Sequence, residues 1–201
     1  MDIEQLQSQG WVTALYPWEH DQAVYLGTAR TGANEGQRDR RSYDPDRIMT
    51  DNVLANIHST IAEIGTSRLI GAYCYNAIWG RGDHGRYSTD LPDALLATVE
   101  IEIKWRRTAF QMPVDEKDME RNRLVLWAEA KMAGCVCPNC AVEGSEIPRR
   151  TSQVRLLGGG YAAELWAYGK PMKRNDGTID VHRVGVHHSK LTPISLLLNR
   201  N

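Results

Sequence analysis

The sequence predicts a mixed α/β domain in which helices flank a mixed sheet, and two changes of periodicity support this prediction. Apolar residues recur at helical spacing in residues 50–74. Apolar and charged residues then alternate at every second position in residues 99–106, which is the period of a strand. The sequence contains no internal repeat, low-complexity tract or clear linker. We therefore expect residues 1–201 to form a single domain.

The first 49 residues are expected to form an N-terminal extension with a mobile loop. Trp11, Tyr16 and Trp18 indicate a small ordered start. The polar stretch GTARTGANEGQRDRRSYDPDR that follows contains the glycines and charged residues of a loop. Thr50 or Asp51 then provides the N-cap of the long helix.

Strand patterns dominate the second half of the chain. In residues 99–106 one face is apolar, and Glu100, Glu102 and Lys104 share the other face. The segments LVLWAEA (residues 124–130) and YAAELWAY (residues 161–168) are predicted to be strands, and residues 153–157 to form a short strand before a turn at residues 158–160. The C-terminal segment KLTPISLLL is apolar enough to dock on the core.

Composition limits the possible partners and locations. The 24 Lys and Arg residues against 25 Asp and Glu residues leave a net charge of −1, so nucleic acid would have to be bound by a local basic patch. The apolar runs are too short for a bilayer span, and the N-terminus lacks the basic start and apolar stretch of a signal peptide. We therefore expect a cytoplasmic protein that has no membrane partner.

The pattern with the most chemical content is Pro92-Asp93 followed by Glu102-Ile103-Lys104. Carboxylates on adjacent strands can share Mg²⁺ or Mn²⁺, and a neighbouring lysine can stabilise the charge that develops on a phosphate. Glu63, on the long helix, could add a third carboxylate. The alternative is a solvated strand face, since Glu/Lys alternation opposite Val and Ile is also typical of that.

The order of these pieces resembles the PD-(D/E)xK, or restriction-endonuclease-like, nuclease superfamily, and in particular small phage and prophage proteins of that fold. The resemblance lies in AEIGTSRLIG, LPDALLATVEIEIK, LVLWAEA, LWAYGKP and LTPISLL. It implies a restriction-endonuclease-like fold with Glu63 as the helix carboxylate, Asp93 as the metal-binding aspartate, and Glu102 with Lys104 as the E-x-K pair. The run WRRTAF after the E-x-K strand is bulkier and more basic than the small polar residues expected there.

The resemblance implies a metal-dependent enzyme that hydrolyses DNA phosphodiester bonds, encoded by a phage and acting in the host cytoplasm. The alternative is a non-catalytic phage accessory or virion protein on the same scaffold, which binds nucleic acid or a phage or host protein. The intact Asp93, Glu102 and Lys104 set favours the enzyme, whereas the near-neutral charge and the WRR run favour the alternative.

Residues 134–150 form a cysteine-containing insertion. Cys135, Cys137 and Cys140 have the spacing C-x-C-P-x-C, and Cys74 is the candidate for a fourth thiolate. Four thiolates would hold zinc or an iron–sulfur cluster, and some nucleases of the superfamily carry such a cluster. Zinc is preferred because it needs no assembly machinery. The alternative is a loop with free, partly buried thiols.

Two histidine triplets suggest a rival function, because paired H-x-S/T triplets are typical of two-histidine phosphoesterases. The triplets are His58-Ser59-Thr60 and His187-His188-Ser189. Those enzymes present each histidine from a strand, whereas His58 falls in a helical pattern. A structural histidine is therefore the preferred interpretation of His58.

Overall fold

Helices form the first layer of the fold. The computed structural model describes residues 13–33, 49–76, 91–105, 111–137, 140, 150–173 and 177–198. The helices of these ranges are α1 (Pro17–Ala33), α2 (Met49–Ile70), α3 (Glu116–Glu120), α4 (Ala162–Tyr168) and α5 (Ile194–Leu198), with a 3-10 turn at His188–Lys190. Among the described residues there is no helix with the length and apolar character needed to cross a membrane.

The strands form two sheets. They are β1 (Thr13–Ala14), β2 (Tyr73–Cys74), β3 (Ala94–Leu96), β4 (Val99–Trp105), β5 (Gln111–Asp115), β6 (Leu124–Lys131), β7 (Gln153–Tyr161), β8 (Lys170–Lys173) and β9 (Ile179–His187). The larger sheet has the order β1-β7-β6-β4-β3-β2 and the smaller sheet the order β5-β9-β8. Strands β4 and β6 are parallel and the other neighbours are antiparallel. The expected mixed sheet with flanking helices is confirmed, and the strand that carries Glu102 lies in its interior.

The main core lies between the larger sheet and the long helix α2. Leu124 and Leu126 of β6 alternate with residues of the opposite face and pack with Ile57 and Ile61 of α2. Helix α1 packs against α2 on the outer side. The C-terminal helix contributes Leu197 to the same core, which confirms the docking expected of KLTPISLLL.

A second core covers the opposite face of the larger sheet. Val125 and Trp127 of β6 point to this side, where they pack with Met112 of β5 and Val186 of β9. Leu165 of α4 completes the cluster. Because both faces of the larger sheet are covered in this way, polar side chains on the second face of β4 also lie inside the protein.

The N-terminal part corrects one expectation. Residues 17–33 form a regular helix, α1, in place of an extension that leads into a loop. Its GTARTGA segment continues the helix. Gly27, the first residue of the segment, lies where α1 meets α2, and a Cβ there would be 2.6 Å from Ile57 Cα. Trp11 and the remainder of the expected loop, residues 34–48, lie outside the described residues.

The segment around the glycine run corrects two further expectations. YAAELWAY is the helix α4, not a strand, and it buries Ala162 and Leu165 at a helical spacing of three. Residues 158–160 are not a turn but continue β7 alongside β6. Glycine is required at Gly159, because a Cβ would collide with the carbonyl oxygen of Val125.

Candidate functional site

Glu102 and Lys104 project from the face of β4 that is turned away from α2. Their neighbours Ile101 and Ile103 point into the main core, so the two polar side chains lie in the layer between the sheets. Glu102 is 9% exposed, and the Lys104 side chain is 12% exposed. A solvated strand face is therefore not what the structure shows.

The Lys104 ammonium group is surrounded by three carboxylates. Nζ lies 2.8 Å from Glu102 Oε1, 2.9 Å from Asp115 Oδ2 and 3.1 Å from Asp118 Oδ2. Burial by itself would lower the pKa of Lys104, but Asp115, Glu102 and Asp118 outweigh it and hold the pKa well above its usual range. Lys104 is therefore a permanent cation.

Arg123 provides a second buried cation beside the same carboxylates. Its Nε donates to Glu100 Oε2 at 2.8 Å, and its Nη1 donates to Asp118 Oδ1 at 3.2 Å. Nη1 also lies 3.6 Å from Glu102 Oε2. Burial would raise the pKa of Glu102, but Lys104, Lys117 and Arg123 together lower it, so Glu102 is ionised at neutral pH.

Asp93 is positioned against the backbone of β4. Its Oδ2 accepts a hydrogen bond of 2.8 Å from the N–H of Ile103. Strand β3 pairs Ala94 with Ile101 in antiparallel register, and one further step of that register brings Asp93 beside Glu102. Burial, Glu102 and then Glu63 raise the pKa of Asp93 well above its usual range. The raised pKa indicates that the carboxylates of Glu102 and Glu63 repel that of Asp93.

Glu63 of α2 is held by Arg30 of α1. The guanidinium donates to both carboxylate oxygens, with Nη1 at 2.8 Å from Oε1 and Nη2 at 2.7 Å from Oε2. The two side chains are only 2% and 4% exposed. Glu63 is therefore committed to a bidentate ion pair, and it reaches Asp93 through its charge.

The structure thus brings Asp93, Glu102 and Lys104 together and adds residues that the sequence pattern did not single out. The additional members are Asp115, Asp118 and Arg123. They belong to the connection between β4 and its parallel neighbour β6. These three charged residues follow no sequence period that would link them to β4. Only the path of the chain from β4 to β6 shows that they lie beside Glu102 and Lys104. The arginines of WRRTAF lie outside the described residues.

A second cluster joins α2 to the segment after β6. The side chains of His58, Cys135, Cys137 and Cys140 place their ligand atoms within 4.8 Å of one another. His58 Nε2 lies 2.8 Å from Cys140 Sγ. This His/Cys3 cluster could bind a metal such as zinc. Of the insertion, residues 138–139 and 141–149 lie outside the described residues.

The fourth member of this cluster is His58 and not Cys74. Cys74 lies in the edge strand β2, where its thiol donates to Asn76 Oδ1 at 3.1 Å. Burial and then the Glu63 carboxylate raise the pKa of Cys74 to about 11, which keeps it a neutral thiol. The expected helix of residues 50–74 ends at Ile70, and the chain then leaves α2 for the sheet, away from Cys135.

The histidine triplets do not have equivalent surroundings. His58 is buried, and its ring stacks on Trp105 with centroids 5.1 Å apart. His187 is exposed at the end of β9, where its Nδ1 accepts from the N–H of Ser189 at 3.3 Å. From its position in α2 the imidazole of His58 faces the cysteine segment, and this contact accounts for a histidine at this place in the helix.

Comparisons of the chain with protein-family models, with curated proteins and with solved structures found no significant match.

Proposed function

We propose that the chain is a PD-(D/E)xK-type nuclease that hydrolyses DNA phosphodiester bonds with Mg²⁺ or Mn²⁺ held between Asp93 and Glu102. The observation that carries this proposal is the hydrogen bond from Ile103 N–H to Asp93 Oδ2, which fixes the aspartate beside Glu102. Burial and the repulsion from Glu102 raise the pKa of Asp93. A divalent cation between the oxygens would remove that repulsion.

The order of elements supports the proposal. Glu63 lies on a helix, Asp93 directly precedes β3, and Glu102 and Lys104 lie on the adjacent β4. This is the order that the resemblance to restriction-endonuclease-like nucleases implies. The mixed sheet with its flanking helices agrees with the same proposal.

The proposed reaction needs three contributions from the chain. Asp93 and Glu102 would supply oxygen ligands for a hard cation, which polarises the scissile phosphate and the attacking water. Lys104 shares the strand face of Glu102 and would stabilise the negative charge that develops on the phosphate. Asp115 and Asp118 hold the ammonium group in place before the substrate arrives.

A second candidate function is binding without catalysis on the same scaffold, with nucleic acid or a protein as partner. The observation that favours it is the extent of the ion pairs at β4. Lys104 and Arg123 together contact Glu100, Glu102, Asp115 and Asp118. A buried network of this kind can serve only to fix how the elements pack.

A cleavage assay on the wild-type protein separates the two functions. We expect degradation of single- or double-stranded DNA in Mg²⁺ or Mn²⁺ and none when both ions are omitted. RNA substrates of the same sequence would test the assignment to DNA. Intact substrates across all metals and concentrations would refute the nuclease proposal and leave the binding function as the better candidate.

A further inference from the structure

The His/Cys3 cluster has the dimensions of a single-ion site. Zinc binds thiolate sulfur at about 2.3 Å and imidazole nitrogen at about 2.0–2.1 Å, so tetrahedral ligand atoms lie roughly 3.6–3.8 Å apart. The four ligand atoms here are within 4.8 Å of one another. Given those bond lengths, an ion would shorten the longest of these separations by about 1 Å or less. His58 Nε2 and Cys140 Sγ, 2.8 Å apart here, would move apart by about 0.8 Å to reach the same geometry.

The hydrogen bond of His58 prepares its other nitrogen for a metal. Nδ1 lies 2.7 Å from the carbonyl oxygen of Leu54, which can only accept, so Nδ1 carries the proton. In the neutral ring Nε2 then carries a lone pair and no proton, and this atom is the one that faces Cys140 Sγ. A metal-bound histidine is usually oriented in the same way, by a backbone carbonyl at its second nitrogen.

Backbone hydrogen bonds also hold the cysteine segment in place. The N–H of Met132 donates to Cys140 Sγ at 3.2 Å. The N–H of Cys140 donates to the carbonyl of Cys137 at 2.8 Å, which closes a turn between two of the ligands. None of the four cysteines, all of which are described, is in a disulfide, so their sulfurs remain available to a metal.

We propose that His58 Nε2 and the sulfurs of Cys135, Cys137 and Cys140 hold one resident zinc ion in a closed, structural site. Three thiolates and one imidazole are a common zinc set, and four protein ligands leave no position for a substrate. Exposure is 4% for His58, 8% for Cys135 and 0% for Cys140, and Cys137 is half-buried, so the ion would be largely shielded from solvent. An iron–sulfur cluster would need ligands spread around several iron atoms, more widely than these four are.

The ion would connect parts of the chain that are distant in sequence. His58 belongs to α2 and the cysteines follow β6, so the zinc would tie the helical layer to the larger sheet. The ring of His58 also stacks on Trp105, the last residue of β4. Removal of the metal should therefore unfold the protein or loosen α2, because metal binding of this kind contributes folding free energy.

Metal analysis and cobalt substitution test this proposal without reference to cleavage. Protein purified without added metal should contain one zinc per chain. Replacement by Co²⁺ should give the visible absorption of a tetrahedral ion with three sulfur ligands and one nitrogen ligand. In the His58→Cys variant the site should persist, and the Co²⁺ spectrum should shift to that of four sulfur ligands. The Cys74→Ser variant is the matched control and should keep zinc and the wild-type spectrum.

Any of the following results would overturn the proposal. The first is a folded wild-type protein with no bound metal. The second is iron and inorganic sulfide in place of zinc. The third is a Co²⁺ spectrum that His58→Cys leaves unchanged, or loss of zinc from Cys74→Ser, since either would place the fourth ligand elsewhere.

Discussion

Lys104 Nζ lies 2.8 Å from Glu102 Oε1, and the two side chains share the buried face of β4. Asp115 and Asp118 complete the surroundings of the ammonium group. In the proposed reaction Lys104 thus stabilises negative charge on the substrate phosphate. At the same time it is the counter-ion of three buried carboxylates.

Lys104→Met should be strongly destabilising, because it leaves Glu102, Asp115 and Asp118 without their shared cation. Breaking a buried ion pair in this way typically costs about 3–5 kcal/mol. Urea denaturation measures the free energy of unfolding, with Lys170→Met at an exposed position as the control. Equal stability of the two variants would show that the network around Lys104 contributes little. Lys104 is therefore a poor choice for a clean test of catalysis.

Arg30→Met should destabilise the protein by about 3–5 kcal/mol, since Glu63 would remain buried as an unpaired charge. The double variant Arg30→Met/Glu63→Leu should recover most of this loss, because it removes both charges. Arg155→Met is the comparison, as its pair with Glu129 is 38% and 29% exposed and should be worth only about 0.2–1 kcal/mol. Additive losses in the double variant would mean that the two residues do not act as a pair.

Without Mg²⁺ or Mn²⁺, Asp93→Asn should be more stable than wild type, and increasingly so as the pH rises. The folded-state pKa of Asp93 is raised, so its stabilising contribution is present below the unfolded value of about 3.9 and is lost as the pH rises through the folded value. The difference between the two unfolding free energies should grow by at most about 1.4 kcal/mol per pH unit.

The measurement is thermal unfolding, without added Mg²⁺ or Mn²⁺, from pH 4 upward (about the unfolded pKa), with Asp21→Asn at an exposed site of α1 as the control. Mg²⁺ should narrow the difference by stabilising only the wild type. If the difference between the two unfolding free energies did not change with pH, Asp93 would not be repelled by Glu102 and Glu63.

The parts of the fold that the sequence predicted are those with strong local periods. The apolar face of β4 and the run of β6 identify these strands directly, and Ile57 and Ile61 identify α2. By contrast, α4 is too short to show a helical period, and β7 continues through Gly159 because it pairs with β6, where Val125 leaves no room for a side chain. Such contacts cannot be read from neighbouring residues.

The same distinction applies to the candidate sites. Asp93, Glu102 and Lys104 are close in sequence on adjacent strands, so their spacing was informative. The distance in sequence from His58 to Cys140 is 82 residues. The helix that carries His58 gives no local sign that Cys140 is its neighbour. Cys74 is the cysteine nearest the end of that helix and is therefore the more obvious candidate in the sequence.

Gly27→Ala and Gly32→Ala should have opposite effects although both lie in α1. A Cβ at Gly27 would be 2.6 Å from the backbone of Ile57, whereas one at Gly32 would meet nothing within 4 Å. We expect a loss of about 1–3 kcal/mol for Gly27→Ala and a gain of about 0.5–1 kcal/mol for Gly32→Ala. Thermal or urea unfolding of both variants checks this. A stabilised Gly27→Ala protein would contradict the close packing of α1 on α2.

The rate of DNA cleavage by Asp93→Asn, beside that of Asp21→Asn, tests the proposed nuclease centre most directly. The Asn side chain can still accept the Ile103 N–H bond but carries no charge for a metal, so folding should persist while the reaction fails. We predict Mg²⁺-dependent cleavage by wild type and Asp21→Asn, and a rate lower by on the order of 100-fold or more for Asp93→Asn. Cleavage by Asp93→Asn at the wild-type rate, or none by any of the three proteins, would contradict the assignment of a metal-dependent nuclease to this site.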